Sequence, residues 1–387
     1  MKIAIDVSQI VYGTGVSRYV ENLVEALLRI DHKNEYILFG SSLRQRGKLA
    51  KFKKKLEKYP NVKFKFFSFP LKFLELVWNK LHVLPVDKFI GPVDIFHSSD
   101  WIQPPIGSKK TAKITTVHDM TVYLFPSSIH PRIVANQKKR MARVKGEIDL
   151  IIADSQTTKE DLIKFLQIED EKVEVVYLAA PSEFKPQEDE KISAVLEKYK
   201  IKKPFILSVS TQEPRKNLQK LLEVFETLSQ MPEYKHQNLQ LVLAGKFGWG
   251  KEVTSSENVI STGYVSGDDL IALYAGCRVF VYPSLYEGFG LPVLEAMACG
   301  APVVTSNNSS MAEIAKDAAI LIDPRNEGQM KKAIEFVLDL KLDDYQKMVN
   351  ASLTCARKFS WSKTARQTLS LYRRLYWDKQ GDVSKDS

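Results

Sequence analysis

Short apolar runs rich in β-branched residues alternate along the chain with longer amphipathic segments of helix length. Runs that are apolar almost throughout indicate strands covered on both faces, and their alternation with helices indicates parallel sheets. The predicted strands cover residues 2–7, 36–40, 63–69, 93–97, 113–118, 150–154 and 173–178, then 205–209, 239–244, 259–262, 279–282, 302–305 and 319–322. This pattern predicts two doubly wound α/β domains in succession.

The length of 387 residues also favours two domains, because single cores rarely grow beyond about 250–300 residues. Pro181, Pro186 and the charged run 188–191 interrupt the strand pattern, so a boundary is expected within residues 180–200. We predict one domain over residues 1–180 and a second over 181–362. A C-terminal helix with a polar tail follows over 363–387.

The composition is that of a globular protein, with 44% hydrophobic and 26% charged residues, and excludes collagen-like and wholly disordered classes. The net charge of +10 indicates an anionic partner. Cys277, Cys299 and Cys355 are widely spaced, and no His or carboxylate cluster has metal-ligand spacing. We therefore expect no disulfide framework and no metal site.

With no apolar stretch of about 20 residues and no signal-peptide layout at Met1, a cytoplasmic protein is expected.

The segment 281–296 combines a strand end, a loop with two glycines and the start of a helix at Pro292. Gly288 and Gly290 allow close backbone approach, and free N–H groups at the helix start favour an anion such as a diphosphate. Glu287 lies in the loop and Glu295 inside the helix, and both can accept hydroxyl hydrogen bonds. Either glutamate alone would suit a solvated loop or a helix N-terminus. Together with the glycines, they indicate a ligand site.

Two further segments follow predicted strands and carry groups suited to anions. Arg215 and Lys216 come after the strand 205–209 and can neutralise a diphosphate. Gly13 and Gly15 follow the first strand and permit a tight turn, but their spacing does not match a dinucleotide fingerprint. Both signals gain weight from their position, since ligands gather at the carboxyl ends of strands.

His118 stands where the strand 113–118 meets a loop, where histidine can bind a sugar hydroxyl or move a proton. A histidine in such a place can equally be a hydrogen-bonded core residue. His97 occupies a similar place, and we interpret it as structural.

These segments together resemble the retaining glycosyltransferases of family four, nucleotide-sugar enzymes of the GT-B architecture. The resemblance covers nearly the whole chain, and its most specific element is the pair Glu287 and Glu295 separated by seven residues. It implies two Rossmann-like doubly wound domains facing across a cleft, with the C-terminal helix crossing back to the N-terminal domain. The first domain would serve the acceptor and the second the nucleotide-sugar donor.

The resemblance also implies roles for individual residues. Glu287 would bind hydroxyls of the donor sugar, Glu295 the ribose, and Lys216 the diphosphate. Arg215 would assist Lys216, although many relatives carry an arginine a few residues earlier, where this chain has Val209 and Ser210. The remaining implied site residues are His118 near the sugar and, for the donor, Gly15, Gly245, Lys246, Tyr264, Val265, Gly288, Phe289, Gly290 and Leu291.

The implied reaction moves a sugar from a nucleoside diphosphate to an acceptor hydroxyl with retained anomeric configuration. It needs no metal and no cofactor, because the nucleotide-sugar is a substrate and preorganised positive charge stabilises the leaving diphosphate. The motifs look most like bacterial mannosyltransferases that use GDP-mannose in surface-polysaccharide assembly. UDP-glucose and UDP-N-acetylglucosamine stay open as donors, and the acceptor would be a saccharide or a lipid-diphosphate-linked saccharide.

Basic residues are interleaved with phenylalanines over residues 44–72, next to the amphipathic segment 71–81 with Trp78. A second basic segment, 131–145, contains Lys138, Lys139, Arg140 and Arg143. This composition fits peripheral binding to an anionic membrane. It fits equally well a core strand whose neighbouring lysines face water.

Other functions fit parts of the same pattern. A nucleotide-sugar epimerase or a glycan phosphorylase could use the same architecture. A non-enzymatic polyanion binder would explain the positive charge, but no nucleic-acid motif is present and Glu287 and Glu295 would repel a phosphate backbone. A nucleic-acid partner is therefore not expected.

Overall fold

The computed structural model describes residues 1–98, 100–249 and 256–383, so the end of the predicted polar tail, 384–387, lies outside the described residues. The chain forms two compact units. The first unit comprises Met1–Leu178 together with Trp361–Ser387, and the second unit comprises Ala179–Ser360.

The strands lie close to the runs predicted from the apolar pattern. In the first unit they are β1 (Lys2–Asp6), β2 (Glu35–Ser41), β3 (Val62–Phe67), β4 (Ile95–Ser98), β5 (Ala112–Val117), β6 (Leu150–Ala153) and β7 (Val173–Val175). In the second unit they are β8 (Phe205–Val209), β9 (Gln240–Ala244), β10 (Val259–Gly263), β11 (Val279–Tyr282), β12 (Val303–Ser306) and β13 (Ala319–Ile322).

Helices connect the strands. They are α1 (Gly15–Ile30), α2 (Arg46–Leu56), α3 (Leu71–Leu74), α4 (Asp87–Ile90), α5 (Thr121–Leu124), α6 (Pro131–Glu147), α7 (Gln156–Leu166), α8 (Asp189–Lys198), α9 (Leu218–Ser229), α10 (Pro232–His236), α11 (Gly267–Gly276), α12 (Leu291–Ala298), α13 (Ser309–Ala315), α14 (Glu327–Asp339), α15 (Leu342–Ala356) and α16 (Trp361–Val383). A π-helical stretch, Glu75–Lys80, continues α3, and short 3-10 helices cover Ser8–Tyr12, Pro126–Ser128, Asp170–Lys172 and Pro214–Lys216. None of the helices in the described ranges combines the length and apolar character needed to cross a membrane.

Each unit contains one parallel sheet. Over the described residues the first sheet has the order β3-β2-β1-β4-β5-β6-β7 and the second β10-β9-β8-β11-β12-β13. All strand pairs in both sheets are parallel. The chain order reverses between β1 and β4 in one sheet and between β8 and β11 in the other, which are the points where doubly wound sheets bind ligands. The predicted doubly wound architecture is confirmed.

The C-terminal helix α16 belongs to the first unit, as the resemblance implied. Its buried side chains recur every three or four residues and so form one face of the helix; they include Ala365, Leu369, Tyr372 and Leu375. This face packs against α1. The Tyr372 hydroxyl is also 2.7 Å from Nδ1 of the buried His97.

The phenylalanine-rich part of residues 44–72 forms a strand of the first sheet, which agrees with the second of the two interpretations. In β3, Lys63 and Lys65 are exposed while Phe64 between them is half-buried, because successive side chains face opposite sides of a strand. Trp78 is 1% exposed and lies in the core of the first unit. Arg140, in the basic helix α6, is also buried. Neither Trp78 nor Arg140 is therefore available to a membrane.

Tyr372→Phe tests how α16 is held in the first unit. It removes a buried hydrogen bond to His97, so we expect the free energy of unfolding to fall by about 1–3 kcal/mol. Urea denaturation measures the change. Tyr376→Phe is the matched control, since Tyr376 lies four residues further along α16 and makes no hydrogen bond among the described residues. Equal stability of the two variants would contradict the prediction.

Candidate active site

The loops after β8 and β11 meet at the switch point of the second sheet. The backbone N–H of Leu285 donates to the carbonyl of Arg215 at 2.8 Å. The hydroxyl oxygen of Ser284 lies 3.2 Å from the same carbonyl. These bonds bring Lys216, at the end of a 3-10 helix, next to Glu287 in the following loop.

Glu287 is 9% exposed, and one of its oxygens, Oε1, is surrounded by donors. They are Lys216 Nζ at 2.6 Å, Ser284 Oγ at 2.6 Å, Tyr282 Oη at 3.1 Å and Arg215 Nη1 at 3.1 Å. No hydrogen bond from the described residues reaches the other oxygen, Oε2. The carboxylate is thus oriented through one oxygen, and the second can accept hydrogen bonds from a ligand.

Arg215 is directed toward protein groups. Its Nη1 donates to the carbonyl of Tyr286 at 2.5 Å, and its Nη2 pairs with Glu213 at 2.5 Å. Together with the contact to Glu287, this places the guanidinium between the two loops. Arg215 therefore braces the loop of Glu287, and the diphosphate role that the resemblance implied for it stays a prediction.

Lys216 keeps a donor for a ligand. Its Nζ bonds the hydroxyl of Tyr282 at 2.9 Å and the carboxylate of Glu287 at 2.6 Å. An ammonium has three N–H donors, and the third meets no acceptor among the described residues. The positively charged ammonium of Lys216 can therefore donate a hydrogen bond to a ligand beside Oε2 of Glu287.

Electrostatics hold this cluster in its charged form. Burial alone would raise the pKa of Glu287, but the charges of Arg215 and Lys216 outweigh it and lower the pKa from 4.5 to about 2. Burial lowers the pKa of the Lys216 ammonium, while the charge of Glu287 opposes that effect. Burial and the charge of Glu287 raise the pKa of Tyr282, so its hydroxyl stays protonated and donates.

The loop continues into α12 through Gly290, whose φ of 91° lies in the region that favours glycine. The hydroxyl of Ser310 donates to the carbonyl of Glu287 at 2.9 Å, which fixes the backbone before this turn. Gly288 and Phe289 are buried in the loop, and Leu291 begins the helix as predicted.

Glu295 lies inside α12 and is 1% exposed. Its Oε2 accepts a hydrogen bond from the hydroxyl of Tyr274 in α11 at 3.3 Å. Protein therefore covers this carboxylate. Ribose binding by Glu295 stays a prediction.

Gly245 and Lys246 follow β9, and Tyr264 and Val265 follow β10, at the same edge of the sheet. Gly245 has a φ of 139°, and a Cβ atom there would lie 1.9 Å from the carbonyl oxygen of Ser210, so only glycine fits. Lys246 Nζ lies 4.8 Å from the ring centroid of Tyr264, which is 69% exposed. Val265 is buried. The exposed aromatic face of Tyr264 is the part of this edge that a base could contact.

The other two predicted site residues belong to the first unit. Gly15 is exposed and begins α1, where the N–H of Thr14 donates to the hydroxyl of Ser17 at 3.1 Å. His118 follows β5, and its Nδ1 lies 2.5 Å from Oδ2 of Asp154, the residue directly after β6. The ring of Tyr19 packs edge-on against His118 at 4.7 Å.

Asp154 controls the charge of His118. Burial lowers the pKa of the imidazole, but the charge of Asp154 and its hydrogen bond outweigh burial and raise the pKa to about 9. With Nδ1 bound to Asp154, Nε2 is left to donate. His118 lines a small cavity together with Gln9, Ser98 and Asp100. The protonated ring can thus donate a hydrogen bond at neutral pH.

His97 differs from His118 in having protein partners on both nitrogens. Its Nδ1 meets Tyr372 at 2.7 Å and its Nε2 meets the hydroxyl of Thr116 at 2.8 Å. Burial lowers the pKa of His97 to about 3, so the ring is neutral. This agrees with its interpretation as a structural residue.

Two family models match successive parts of the chain. The family model for Glycosyltransferase Family 4 matches residues 13–183, and that for Glycosyl transferases group 1 matches residues 189–353. The O-antigen chain mannosyltransferase B of Escherichia coli is 32% identical over 292 residues, which span 73% of this chain and 74% of that protein. The chain belongs to glycosyltransferase family 4.

A second relative of this glycosyltransferase is the serotype-specific mannosyltransferase WbdA of Escherichia coli, 33% identical over 60% of this chain. The match spans only 29% of WbdA. Among solved structures, sucrose-phosphate synthase from Thermosynechococcus elongatus superposes with a TM-score of 0.72 at 18% identity, covering 98% of this chain and 100% of that one. Such a likeness concerns the fold, and with the two doubly wound units it confirms the GT-B class.

Sequence reasoning missed the groups that orient the main site residues of this glycosyltransferase. Tyr282 and Ser284 donate to Glu287, and Glu213 holds Arg215. Asp154 could have been found, because it ends the strand run next to that of His118, and neighbouring parallel strands end at the same edge. The hydroxyl donors carried no comparable signal, since serine and tyrosine are common in loops and strands.

Glu287→Gln tests the ion cluster. The lowered pKa means that the ionised carboxylate stabilises the fold above pH 4.5, a contribution that is lost as the pH falls toward 2. We expect the variant to lower the free energy of unfolding by about 3 kcal/mol at pH 7. The difference from wild type should shrink in urea denaturation at acidic pH. Glu327→Gln, at an exposed ion pair with Lys220, should change the free energy of unfolding much less, because water screens exposed ion pairs. Wild-type stability of Glu287→Gln at pH 7 would refute this account.

Asp154→Asn tests the charge of His118. The raised pKa means that the pair stabilises the fold fully below pH 6.5, and that this contribution is lost as the pH rises through about 9. The stability gap between wild type and variant should be largest near pH 6 and small above pH 9. NMR titration should show the His118 pKa falling below 6.5 in the variant, because burial then dominates. Asp170→Asn, at an exposed pair with Lys159, is the control, and an unchanged His118 titration in Asp154→Asn would contradict the prediction.

Proposed function

We propose that this glycosyltransferase transfers mannose from GDP-mannose to a hydroxyl of a saccharide or lipid-diphosphate-linked acceptor, with retained configuration, in surface-polysaccharide assembly. Membership of family 4 supports sugar transfer from a nucleotide. The choice of mannose is supported by the name of the relative at 32% identity, an O-antigen chain mannosyltransferase.

The observation that carries the proposal is the geometry of Glu287. Oε1 is contacted by Lys216, Tyr282, Ser284 and Arg215. Oε2 is open to sugar hydroxyls. A carboxylate whose orientation is already determined loses little freedom when a sugar binds, so its hydrogen bonds contribute more to affinity. A charged carboxylate also favours the positive charge that develops on the sugar ring.

Lys216 and the N-terminus of α12 are suited to the leaving diphosphate. The third N–H of the Lys216 ammonium is available beside Glu287, and α12 begins at Leu291 directly after the glycine loop. Helix N-termini and lysine ammonium groups both stabilise phosphate charge. This arrangement supports a reaction that uses no metal and no cofactor.

In the proposed reaction the bond between the anomeric carbon and the diphosphate oxygen breaks. The acceptor oxygen bonds the same face of that carbon, and the acceptor proton passes to the departing phosphate. Retention follows from attack on the face that the diphosphate leaves. We assign no protein base, and His118 would donate a hydrogen bond to a sugar hydroxyl through Nε2.

We propose further that transfer takes place at the inner face of an anionic membrane, where a lipid-diphosphate-linked acceptor would be anchored. The exposed Lys65 on β3 supports attraction to such a surface.

The test is turnover of purified protein with GDP-mannose, UDP-glucose or UDP-N-acetylglucosamine, each with and without a saccharide acceptor. We expect acceptor-dependent release of GDP, an α-linked mannoside by NMR, and unchanged rates in EDTA. Glu287→Gln should lower kcat/KM by at least about 100-fold, while Glu327→Gln leaves it unchanged. Turnover with a UDP-sugar and none with GDP-mannose would replace the donor assignment. Isomerisation of the donor without an acceptor would indicate an epimerase. Full activity of Glu287→Gln would overturn the assignment of the site.

A further inference from the structure

A turn after the π-helical stretch Glu75–Lys80 holds apolar side chains in water. Within residues 81–84, Leu81 is 55% exposed, Val83 48% and Leu84 42%. We call residues 81–84 the apolar turn. Single exposed leucines are ordinary on a protein surface, but three within four residues form a local patch that contacts water at a cost.

The backbone of the apolar turn is strained. His82 has a φ of 56° and Leu84 a φ of 60°, values in the left-handed region that side chains other than glycine and asparagine seldom adopt. Leucine gains no local hydrogen bond from this conformation. Strain of this kind persists only where the surrounding structure enforces it, and it concentrates at functional segments.

Hydrogen bonds to buried groups enforce the turn. The indole Nε1 of Trp78 donates to the carbonyl of Leu84 at 2.9 Å, and Nδ1 of His82 lies 2.8 Å from the carbonyl of Trp78. Nε2 of His82 lies 2.9 Å from Glu147 at the end of α6. The N–H of Val83 donates to the carbonyl of Val77 at 3.0 Å. The exposed side chains are therefore presented by a braced backbone.

The apolar surface extends from the turn onto the preceding helix. Phe73 is 41% exposed and Leu76 45% exposed. The N–H of Leu81 donates to the carbonyl of Leu76 at 2.9 Å, so the two residues lie one helical turn apart. Together with the apolar turn, Phe73 and Leu76 form what we call the apolar surface.

The charges around the apolar surface are positive. Lys72 and Lys80 adjoin it, are exposed, and form no ion pair within the described part of the chain. Of the nearby carboxylates, Glu75 pairs with Arg132 at 2.7 Å, and Glu147 lies 2.8 Å from Nε2 of His82. An apolar patch flanked by unpaired lysines matches an anionic lipid interface, where headgroups meet the lysines and acyl chains meet the leucines.

We propose that the apolar surface inserts into the interfacial region of an anionic lipid bilayer, with Leu81, Val83 and Leu84 entering below the headgroups. This inference deepens the proposed function, since it specifies how the enzyme would reach a lipid-linked acceptor. The residues of the apolar surface, and not Trp78, would then contact lipid, because Trp78 is buried in the core.

Sedimentation with vesicles tests the proposal. Wild type should bind phosphatidylcholine vesicles that contain phosphatidylglycerol, and Leu81→Gln with Val83→Gln should weaken this binding at least about tenfold. The matched control is Phe336→Gln with Leu342→Gln, which removes two exposed apolar residues of the second unit and should bind as wild type. Lys72→Gln with Lys80→Gln should weaken binding only where phosphatidylglycerol is present.

A second readout reports insertion directly. Val83→Cys labelled with a polarity-sensitive fluorophore should shift to the blue on anionic vesicles, whereas Leu342→Cys should not. The native Cys277, Cys299 and Cys355 are buried, so labelling will favour the introduced thiol. Failure of wild type to bind, or binding that survives the Leu81 and Val83 substitutions, would overturn the proposal. So would a wild-type dimer that these substitutions dissociate, since the surface would then join two copies of the chain.

The outcome is separable from the transfer activity. The Leu81 and Val83 variant should turn over a water-soluble saccharide acceptor at the wild-type rate, because these residues do not contact the site residues. Vesicle binding without sugar transfer by wild type would refute the proposed function and leave the lipid surface standing. Sugar transfer by wild type without vesicle binding would refute the lipid surface and leave the proposed transfer activity standing.

Discussion

Parallel pairing of the strands is the constraint on which the candidate site depends. When all strands of a sheet run in one direction, the loops after them lie along one edge, and residues distant in sequence become neighbours. Lys216 and Glu287 are 71 residues apart in the chain and 2.6 Å apart in space, because β8 and β11 are adjacent in the sheet. His118 and Asp154 meet in the first unit for the same reason, after the adjacent strands β5 and β6.

Burying charge at these edges has a physical cost that shapes the site. A buried ion is tolerated only when opposite charge and hydrogen bonds replace the water it loses. Around Glu287 the replacement is concentrated on Oε1, which keeps the ionised form and leaves Oε2 open. Arg140 follows the same rule in the core of the first unit, where Nη2 donates to the hydroxyl of Thr115 at 2.9 Å and to the carbonyl of Thr116 at 3.2 Å. The buried ionic groups thus have defined orientations.

In the basic and aromatic segments, some apolar side chains pack in the core and others are exposed to water. In β3, half-buried Phe64 and Phe66 alternate with exposed Lys63 and Lys65, and Phe67 at the end of the strand packs against the core. Further along the chain, the strained turn 81–84 exposes leucine and valine. Buried Trp78 connects the two, since its ring packs in the core and its indole N–H holds the turn.

The amino-acid sequence alone determined the class of fold, the positions of nearly all strands and the loop that carries Glu287, because apolar runs and glycine-bearing loops are local signals. It also indicated Lys216 and His118 through their places after predicted strands. The tertiary structure decided the partners: which oxygen of Glu287 is occupied, that Arg215 braces a loop, that Asp154 charges His118, and that Trp78 and Arg140 are buried. These contacts join residues tens of positions apart, and side-chain direction at such distances depends on strand order and packing, which no local pattern encodes.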